Sequence, residues 1–336
     1  MKPVIVTGGA GYVGSVLVRT LLQEGFKVVC VDNLRFGGGA LLSVCGNSNF
    51  TFIKADIRDF DQVDPIIDTV KCFAIIHLAA IVGDPACALE PELARRTNLD
   101  ASIHLLEKAI HSGVSRFIFA STCSNYGKMT SSDGYLDEHS PLAPISLYAE
   151  FKVELEDLLL NRTERRETFS PTVLRFATAF GISPRMRFDL TVNEFTKELA
   201  LDRELVVFGE QFWRPYCHVR DISRAITLVL KAPRDKVAYS AFNVGDSGEN
   251  YTKKMLVNEL LKQMPGGRVR YVHKEEDPRD YRVQFDKIRA VLGFRISKTV
   301  PEGMKEILEA LRLGFIEDPE NQSYYNIPVD HQNYVV

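Results

Sequence analysis

A glycine-rich turn between a short strand and a helix constrains the fold of this chain more than any other feature. The apolar run Val4-Ile5-Val6 leads into Thr7-Gly8-Gly9-Ala10-Gly11-Tyr12-Val13-Gly14, and a segment of helical character follows over residues 15–24. A second apolar run over residues 28–31 ends in Asp32. This order of strand, glycines, helix, strand and acid predicts a β-α-β unit that binds a dinucleotide.

The glycines of this turn lie where a side chain would obstruct a bound pyrophosphate. At positions 8, 11 and 14 the backbone must turn, approach the phosphates and bring the helix close to the strand. The helix N-terminus offers N–H groups and the positive end of its dipole to the same phosphates. We therefore assign cofactor contacts to Gly8, Gly11, Tyr12, Val13 and Gly14. A tight turn without a ligand is the alternative.

The acid at the end of the second strand indicates which cofactor binds. A carboxylate at Asp32 accepts hydrogen bonds from both hydroxyls of an adenosine ribose and repels a 2′-phosphate. Arg35, three residues further on, is long enough to reach a 2′-phosphate, although it stands in a polar loop beside Gly37-Gly38-Gly39. On the charge of Asp32 we predict NAD rather than NADP.

Composition excludes several classes of partner. The 336 residues are 45% hydrophobic and 25% charged with a formal net charge of −3, which indicates a globular protein without affinity for nucleic acid or anionic membranes. We find no apolar run long enough to cross a membrane, and Met1-Lys2-Pro3 leaves no room for a signal peptide before the first strand. Six cysteines without CxxC spacing predict reduced thiols in a cytoplasmic protein, and seven unclustered histidines predict no metal site.

Strand-like and helix-like segments alternate through the first half of the chain. Strands are predicted over residues 50–53, 73–78, 116–121 and 172–175, and helices over 62–70, 92–112 and 147–161. The alternation predicts a doubly wound α/β fold of the Rossmann type, with ligands above the carboxyl ends of a parallel sheet.

After residue 176 the pattern becomes richer in turns. Helices are predicted over 190–201 and 252–263, and short strands over 205–208 and 269–272. We predict an NAD-binding domain over residues 1–176, which also includes about 217–242 because residues 219–231 could return to the main sheet. A smaller, discontinuous α/β substrate lobe then spans 177–316, and the tail 317–336 is either a partly ordered surface tail or an interface arm.

Tyr148 and Lys152 carry the catalytic prediction. Their spacing places both side chains on one face of the helix that begins near residue 147. The lysine ammonium favours the phenolate and lowers the pKa of the tyrosine, so that the tyrosine can take a proton from an alcohol as hydride leaves its carbon. The strand over residues 116–121 runs into Thr122, whose hydroxyl can bond the same substrate oxygen. The alternative is a surface Tyr/Lys pair beside an ordinary strand end.

Taken together, these motifs resemble those of the extended short-chain dehydrogenase/reductases, in particular the nucleotide-sugar epimerase/dehydratase family. The resemblance runs nearly end to end; its elements are the glycine turn, Asp32-Asn33, Asp56-Ile57-Arg58, His77-Leu78-Ala79-Ala80, Asn98, Thr122, Tyr148/Lys152 and His218-Val219-Arg220-Asp221. It implies that Asn33, Asp56 and Ile57 lie at the adenosine end of NAD. It also implies that Leu78, Ala79 and Ala80 follow the cofactor and that Asn98 supports the site.

The same resemblance implies a catalytic triad and a nucleotide-sugar site. Thr122, Tyr148 and Lys152 match the triad, and Lys152 also bonds the nicotinamide ribose. Substrate contacts are expected from Thr122, Cys123, Ser124, Arg185, Arg187, Asn193, Arg214 and Arg279. Arg214 matches a position that binds nucleotide phosphate or ribose, and Arg279 matches a diphosphate-binding position. The segment 181–195 is similar to a subgroup that acts at C4 of nucleotide-linked heptoses.

Two departures bear on the reaction. Family members that eliminate water carry Asp-Glu after the threonine, whereas this chain has Cys123-Ser124, and the residue after Arg214 is Pro215 rather than an acid. We therefore expect oxidation at C4 of a nucleotide sugar followed by epimerisation. A dehydrogenase that releases the keto sugar is the alternative, followed by a 4,6-dehydratase and a non-catalytic NAD-binding regulator. If water is eliminated, the first candidate carboxylates are Asp84, Asp133 and Glu150.

The family resemblance also implies a homodimer in which two helices of each subunit form a four-helix bundle. The helices around 93–110 and 147–160 carry more apolar residues than one face needs: Leu99, Ile103, Leu105, Leu106, Val153, Leu155, Leu158, Leu159 and Leu160. A single thick core within one chain is the alternative.

Overall fold

The parallel sheet predicted from the sequence is the centre of the molecule. A computed structural model describes residues 2–129, 134–275 and 279–327. Its strands are β1 (Val4–Thr7), β2 (Val28–Asp32), β3 (Phe50–Lys54), β4 (Ala74–His77), β5 (Arg116–Thr122), β6 (Ser170–Phe176), β7 (Thr178–Phe180), β8 (Leu205–Phe208), β9 (Trp213–His218), β10 (Ser240–Val244), β11 (Asn250–Thr252) and β12 (Val269–Val272). Within the described residues, seven of them form a sheet of order β10-β6-β5-β4-β1-β2-β3, and every pairing in it is parallel.

The helices cover both faces of this sheet and build the smaller lobe. They are α1 (Tyr12–Gln23), α2 (Phe60–Val70), α3 (Asp84–Leu89), α4 (Pro91–Arg95), α5 (Ala101–His111), α6 (Leu147–Asp157), α7 (Thr191–Ala200), α8 (Val219–Lys231), α9 (Arg234–Val237), α10 (Lys253–Gln263), α11 (Asp286–Leu292) and α12 (Val300–Arg312). The predicted Rossmann-type fold with a smaller C-terminal lobe is confirmed.

Strand β1 shows why the apolar runs become buried strands. Val4 and Val6 pack with α1 and α8 on one face, while Ile5 packs with α2, α5 and α6 on the other. Because successive side chains of a strand point to opposite faces, a strand covered on both faces must be apolar throughout. The strand order runs outward in one direction from β1 to β3 and in the other from β4 to β10. Ligands are expected at the carboxyl ends of β1 and β4, where the order switches.

The lobe begins after β6 and is built from short elements. Strands β7, β9 and β11 form one small sheet, β8 and β12 form another, and α7, α10 and α12 close a separate apolar core around Leu256 and Met304. Residues 219–231 form helix α8, which packs against α1, and β10 then extends the main sheet beyond β6.

One helix differs from the sequence expectation. The helix predicted over 92–112 contains a π-helical turn, Arg96–Asp100, between α4 and α5. In the C-terminal segment, Tyr325 is 2% exposed and packs with Met186, Phe188 and Ile307 of the same chain. Residues 328–336 lie outside the described residues. Throughout the described ranges, no helix has both the length and the apolar character needed to span a membrane.

Candidate active site

The glycine turn has the close contacts that its sequence predicts. Gly8 has a φ of +72°, and a Cβ on it would lie 2.7 Å from the backbone nitrogen of Ala79. A Cβ on Gly14 would lie 2.1 Å from the carbonyl oxygen of Gly8. Helix α1 begins after Gly11, which offers no side chain as an N-cap. Its first N–H groups are therefore left to a ligand or solvent.

Asp32 is held by the backbone that surrounds it. Its two carboxylate oxygens accept hydrogen bonds from the N–H groups of Ala10 at 3.0 Å and Leu34 at 2.8 Å. Burial raises the pKa of this carboxyl above its ordinary value. The acid is thus fixed beside the glycine turn, at the position where a ribose of a bound dinucleotide is expected.

The residues predicted for the adenosine end form a connected group. Asn33 donates to Asp56 at 2.9 Å, and the guanidinium of Arg58 binds the same carboxylate through Nε at 2.8 Å and Nη2 at 2.7 Å. The hydrogen bonds from Arg58 hold the pKa of Asp56 well below its usual range. The neighbouring Ile57 is buried. Separately, Arg35 pairs with Glu90 at 2.8 Å, so the cation that could favour NADP has a carboxylate partner of its own.

The polar groups of Asn98 and Tyr12 are buried and form hydrogen bonds with backbone groups of the same chain. The amide of Asn98 accepts from the N–H of Ile81 at 2.8 Å and donates to its carbonyl at 2.9 Å, which fixes the segment that follows Leu78-Ala79-Ala80. The hydroxyl of Tyr12 donates to the carbonyl of Gly181 at 2.6 Å in the lobe. Cofactor contact by Tyr12 is therefore restricted to its backbone, and Val13 is partly buried against the core.

Together these groups fit NAD. A Cβ on Gly8 or Gly14 would fill the glycine cradle, the first turn of α1 has no side-chain cap, and Asp32 supplies the acceptor. The group would add a hydride acceptor to the site, and Gly8, Gly11, Gly14 and Asp32 are the residues that would hold it.

Tyr148 and Lys152 lie on the first two turns of α6, which starts after the N-cap Ser146. Nζ of Lys152 donates to the carbonyl of Ala120 at 2.7 Å and lies 5.7 Å from the centroid of the Tyr148 ring. Burial lowers the pKa of Lys152 to about 8. Burial also raises the pKa of Tyr148 above its ordinary value, contrary to the lowered value expected from the lysine alone. Desolvation of the phenol thus outweighs the neighbouring ammonium, and a further positive charge is needed to favour the phenolate.

The turn after β5 separates the three residues that follow the strand. The hydroxyl of Thr122 accepts from the N–H of Ser124 at 3.1 Å, and Tyr281 donates to the hydroxyl of Ser124 at 3.4 Å. Cys123 points the other way, is 1% exposed and donates to the carbonyl of Arg175. The turn thus directs the Cys123 side chain into the core and leaves its backbone for the expected substrate contact.

Arg214 and Arg279 reach the same cleft from the lobe. The guanidinium of Arg214 lies 5.4 Å from the ring centroid of Tyr281, whose hydroxyl bonds Ser124. Nη1 of Arg279 donates to Asp84 at 2.9 Å. The other oxygen of Asp84 accepts from Ser146 at 2.7 Å, two residues before Tyr148. The structure thus brings both arginines, Ser124 and the catalytic helix to one place.

The other three predicted substrate residues have different surroundings. Arg187 forms a two-point ion pair with Asp189, and Asn193 bonds Gly181, Tyr12 and Arg187. Arg185 is buried with its guanidinium 3.9 Å from the ring centroid of Phe36, in the loop after β2. Arg187 is thereby paired within the lobe, Asn193 joins the lobe to Tyr12 of α1, and Arg185 lies beside Phe36 of the cofactor domain.

Ser146 and Tyr281 are site residues that the sequence pattern did not assign, and Asp84 is expected from the sequence only as a carboxylate for water elimination. Asp84 follows the end of β4 in chain order, which is the signal that could have identified it, since strand ends meet at one edge of a parallel sheet. Of the other carboxylates considered for water elimination, Glu150 is exposed on α6, and Asp133 lies outside the described residues.

Comparison with known proteins agrees with this geometry. A model of the NAD dependent epimerase/dehydratase family matches residues 4–245. A dTDP-glucose 4,6-dehydratase from Streptomyces niveus is 31% identical over 325 residues, which cover 92% of each chain. A UDP-glucuronate 4-epimerase from Thermodesulfobacterium geofontis is 27% identical over 311 residues, covering 90% of this chain and 93% of that one. The crystal structure of UDP-glucose 4-epimerase from Thermotoga maritima with UDP-glucose superposes with a TM-score of 0.81 at 28% identity, covering 93% and 99% of the two chains.

Fold and site together define an extended short-chain dehydrogenase/reductase, an enzyme that uses NAD. The predictions of this class and of NAD as its cofactor are confirmed. The chain belongs to the NAD-dependent epimerase/dehydratase family.

Proposed function

We propose that this enzyme is a nucleotide-sugar epimerase that works through oxidation at C4. The observation that carries the proposal is the grouping of Thr122, Tyr148 and Lys152 at the carboxyl end of β5, with two lobe arginines across the cleft. The relatives named above act on nucleotide sugars by their names, which supports the same substrate class here.

Each residue has a stated task in the proposed reaction. Tyr148 takes the proton of the C4 hydroxyl while hydride leaves the same carbon, and Thr122 bonds the oxygen that becomes the ketone. Lys152, held by the carbonyl of Ala120, keeps its charge near the phenol. The 4-keto sugar then turns over in the cleft, and Tyr148 returns the proton as hydride is delivered to the other face.

Arg214 and Arg279 are proposed to hold the diphosphate while the sugar turns. Guanidinium groups bind phosphate oxygens in a forked geometry, and both arginines lie beside residues of the catalytic helix or of the turn after β5. Anchoring at the diphosphate leaves the bond between sugar and phosphate free to rotate.

The absence of an acidic pair after Thr122 argues against elimination of water. A dehydratase needs a base for the C5 proton and an acid for the departing C6 hydroxyl. Here the next residues are a buried thiol, whose pKa burial raises well above its ordinary value, and a serine. A dehydrogenase that releases the keto sugar stays a second candidate, because the groups that oxidise C4 are the same in both reactions.

One experiment separates these functions. The NAD-loaded enzyme is incubated with nucleotide sugars, and the products are analysed by mass spectrometry and by the absorbance of reduced nicotinamide. We expect a C4 epimer of unchanged mass and no accumulation of reduced nicotinamide. A product lighter by one water would identify a dehydratase, reduced nicotinamide in step with product would identify a dehydrogenase, and no reaction with any sugar would favour a regulator.

We also propose a homodimer in the cytoplasm. Free cysteines suit a reducing compartment.

The proposed dimer interface lies on the helices around 93–110 and 147–160. Part of their apolar surface is used within the chain, since Leu99, Leu105, Leu106, Leu155 and Leu159 are buried. Ile103, Leu158 and Leu160 are only partly buried and are available to a second subunit. Light scattering at micromolar concentration should give twice the chain mass, and a strictly monomeric mass would contradict the dimer.

A further inference from the structure

Asp84 lies between the catalytic helix and the lobe, and the reaction scheme above assigns it no task. It is the first residue of α3, and its carboxylate bonds Ser146 through one oxygen and Arg279 through the other, at 2.7 and 2.9 Å. The side chain keeps 23% of its exposure, so it is accessible from the cleft rather than sealed in the core. A carboxylate has about four acceptor positions, and two hydrogen bonds leave capacity for others.

The position of Asp84 beside Tyr148 follows from packing and from charge. Ala86 and Cys87 of α3 belong to the apolar cluster against which the ring of Tyr148 packs. The negative charge of Asp84 contributes to the raised pKa of Tyr148, which requires the two groups to be near each other. A sugar whose C4 hydroxyl reaches Tyr148 therefore has another part of its ring close to Asp84.

Binding of a diphosphate would change the charge balance at this point. Arg279 is the partner of Asp84, and it is also one of the two arginines proposed to hold the diphosphate. The guanidinium that lowers the pKa of Tyr148, that of Arg187, is already paired with Asp189. When phosphate oxygens bind Arg279, less of the negative charge of Asp84 is neutralised by that guanidinium, and the carboxylate is free to accept from the sugar.

We infer that Asp84 is a specificity-determining residue, which accepts a hydrogen bond from a sugar hydroxyl and selects neutral sugars against uronic acids. The inference rests on the proposed function, since it presupposes a nucleotide sugar in the cleft. A neutral sugar offers O–H donors to the carboxylate, whereas a uronic acid brings a second carboxylate beside that of Asp84, where like charges repel. The named relatives act on both kinds of sugar, so the choice is not fixed by the family.

The test compares two sugars on one nucleotide. UDP, dTDP, CDP and GDP are first ranked by thermal stabilisation of the NAD-loaded protein, and the glucose and glucuronic acid derivatives of the best nucleotide are then titrated by calorimetry. We expect the glucose derivative to bind at least about tenfold more tightly to the unaltered enzyme. In Asp84→Asn, which keeps the shape and loses the charge, this ratio should fall below about threefold while affinity for the nucleotide alone changes little.

Glu150→Gln is the matched control, because it removes the same charge from an exposed position near the start of α6 and should leave the ratio unchanged. If Asp84 only fastens the lobe to α6, Asp84→Asn will weaken both sugars equally, and that result overturns the inference. Tighter or equal binding of the glucuronic acid derivative to the unaltered enzyme overturns it without any variant. Failure of all four nucleotides to stabilise the protein removes the proposed function itself, whereas a neutral-sugar epimerase with an unaltered ratio in Asp84→Asn removes only this inference.

Discussion

The cofactor side and the sugar side of the cleft are held together by different kinds of contact. On the cofactor side, Asp32 and Asn98 are fixed by backbone N–H and C=O groups of the sheet and its loops. On the sugar side, Arg279 and Asp84 form an ion pair between segments 195 residues apart. Backbone contacts have no alternative partner within reach, whereas a guanidinium can exchange a carboxylate for a phosphate. One side is therefore preformed, and the other can rearrange around its ligand.

Tyr148 stands where the two sides meet, and its removal should have the largest effect on catalysis. In Tyr148→Phe the ring remains and the ionisable oxygen is lost, so turnover should fall about a hundred- to ten-thousand-fold. NAD affinity should stay within about twofold, since the cofactor side is held by other groups. Steady-state kinetics and fluorescence titration of NAD measure the two quantities, and near-normal turnover would show that Tyr148 is not the base.

Removal of Lys152 should affect both catalysis and NAD binding, whereas removal of the Tyr148 hydroxyl should affect catalysis alone. Lys152→Met removes the charge that stands beside the phenol, and it also removes the group expected to bond the nicotinamide ribose. We expect lost turnover together with NAD affinity weakened by about tenfold. Retained NAD affinity in this variant would confine Lys152 to proton transfer.

The preference for NAD over NADP tests the role of Asp32 on the cofactor side. The unaltered enzyme should bind NAD more tightly than NADP, and Asp32→Ala should narrow that preference by about ten- to a hundredfold, the range of one or two charge-assisted hydrogen bonds. Arg35→Gln is the control and should change the ratio less than about threefold, because Arg35 pairs with Glu90 at the surface. Preference for NADP in the unaltered protein would mean that Arg35 outweighs Asp32.

Substitutions on the sugar side should weaken nucleotide binding without weakening NAD binding. Arg279→Gln and Arg214→Gln should each weaken nucleoside diphosphate binding by about tenfold and leave NAD affinity unchanged. Calorimetric titration of both ligands on the same preparation decides this. Equal losses for NAD and the nucleotide would show that the two sides form one cooperative unit.

A smaller effect is expected on stability in the lobe. Burial raises the pKa of Glu249 to about 7, so the folded state binds its proton more tightly than the unfolded state does, and stability falls as pH rises from about 4.5 through 7. Its carboxylate accepts from the N–H of Val300 at the start of α12, a bond that an amide oxygen can replace. Glu249→Gln should therefore be about 1 kcal/mol more stable than the unaltered enzyme at pH 8, without that gain at pH 5. Thermal unfolding at the two pH values measures the difference.

The cofactor side could be predicted from sequence because its signals are local. Strand, turn, helix and acid follow one another within 32 residues, and the spacing of Tyr148 and Lys152 defines a helix face without reference to the rest of the chain. The backbone partners of Asp32 lie in the glycine turn and in the loop that follows Asp32, so its task was predictable from the same motif.

The sugar side depends on pairings that no local pattern contains. Nothing near residue 84 indicates that Arg279 is its partner, and the direction of Cys123 is decided by a single turn after β5. The π-helical turn that carries Asn98 is a single turn inside a longer helical segment, and no residue type in it distinguishes it from an ordinary helix. Burial likewise reversed the expected pKa shift of Tyr148, a balance that requires coordinates to evaluate.

The contacts of Arg185 involve residues that are synthesised much later than Arg185 itself. Its guanidinium donates to the carbonyl of Tyr325, 140 residues later, and Asn326 in turn donates to the carbonyl of Val82 across 244 residues. An emerging chain folds from its N-terminus, so the sheet and the glycine turn can form while this guanidinium is still hydrated. The contacts from Tyr325 and Asn326 are added only after all seven strands of the main sheet have been synthesised, so a nascent chain can form its glycine turn before this wall of the cleft is in place.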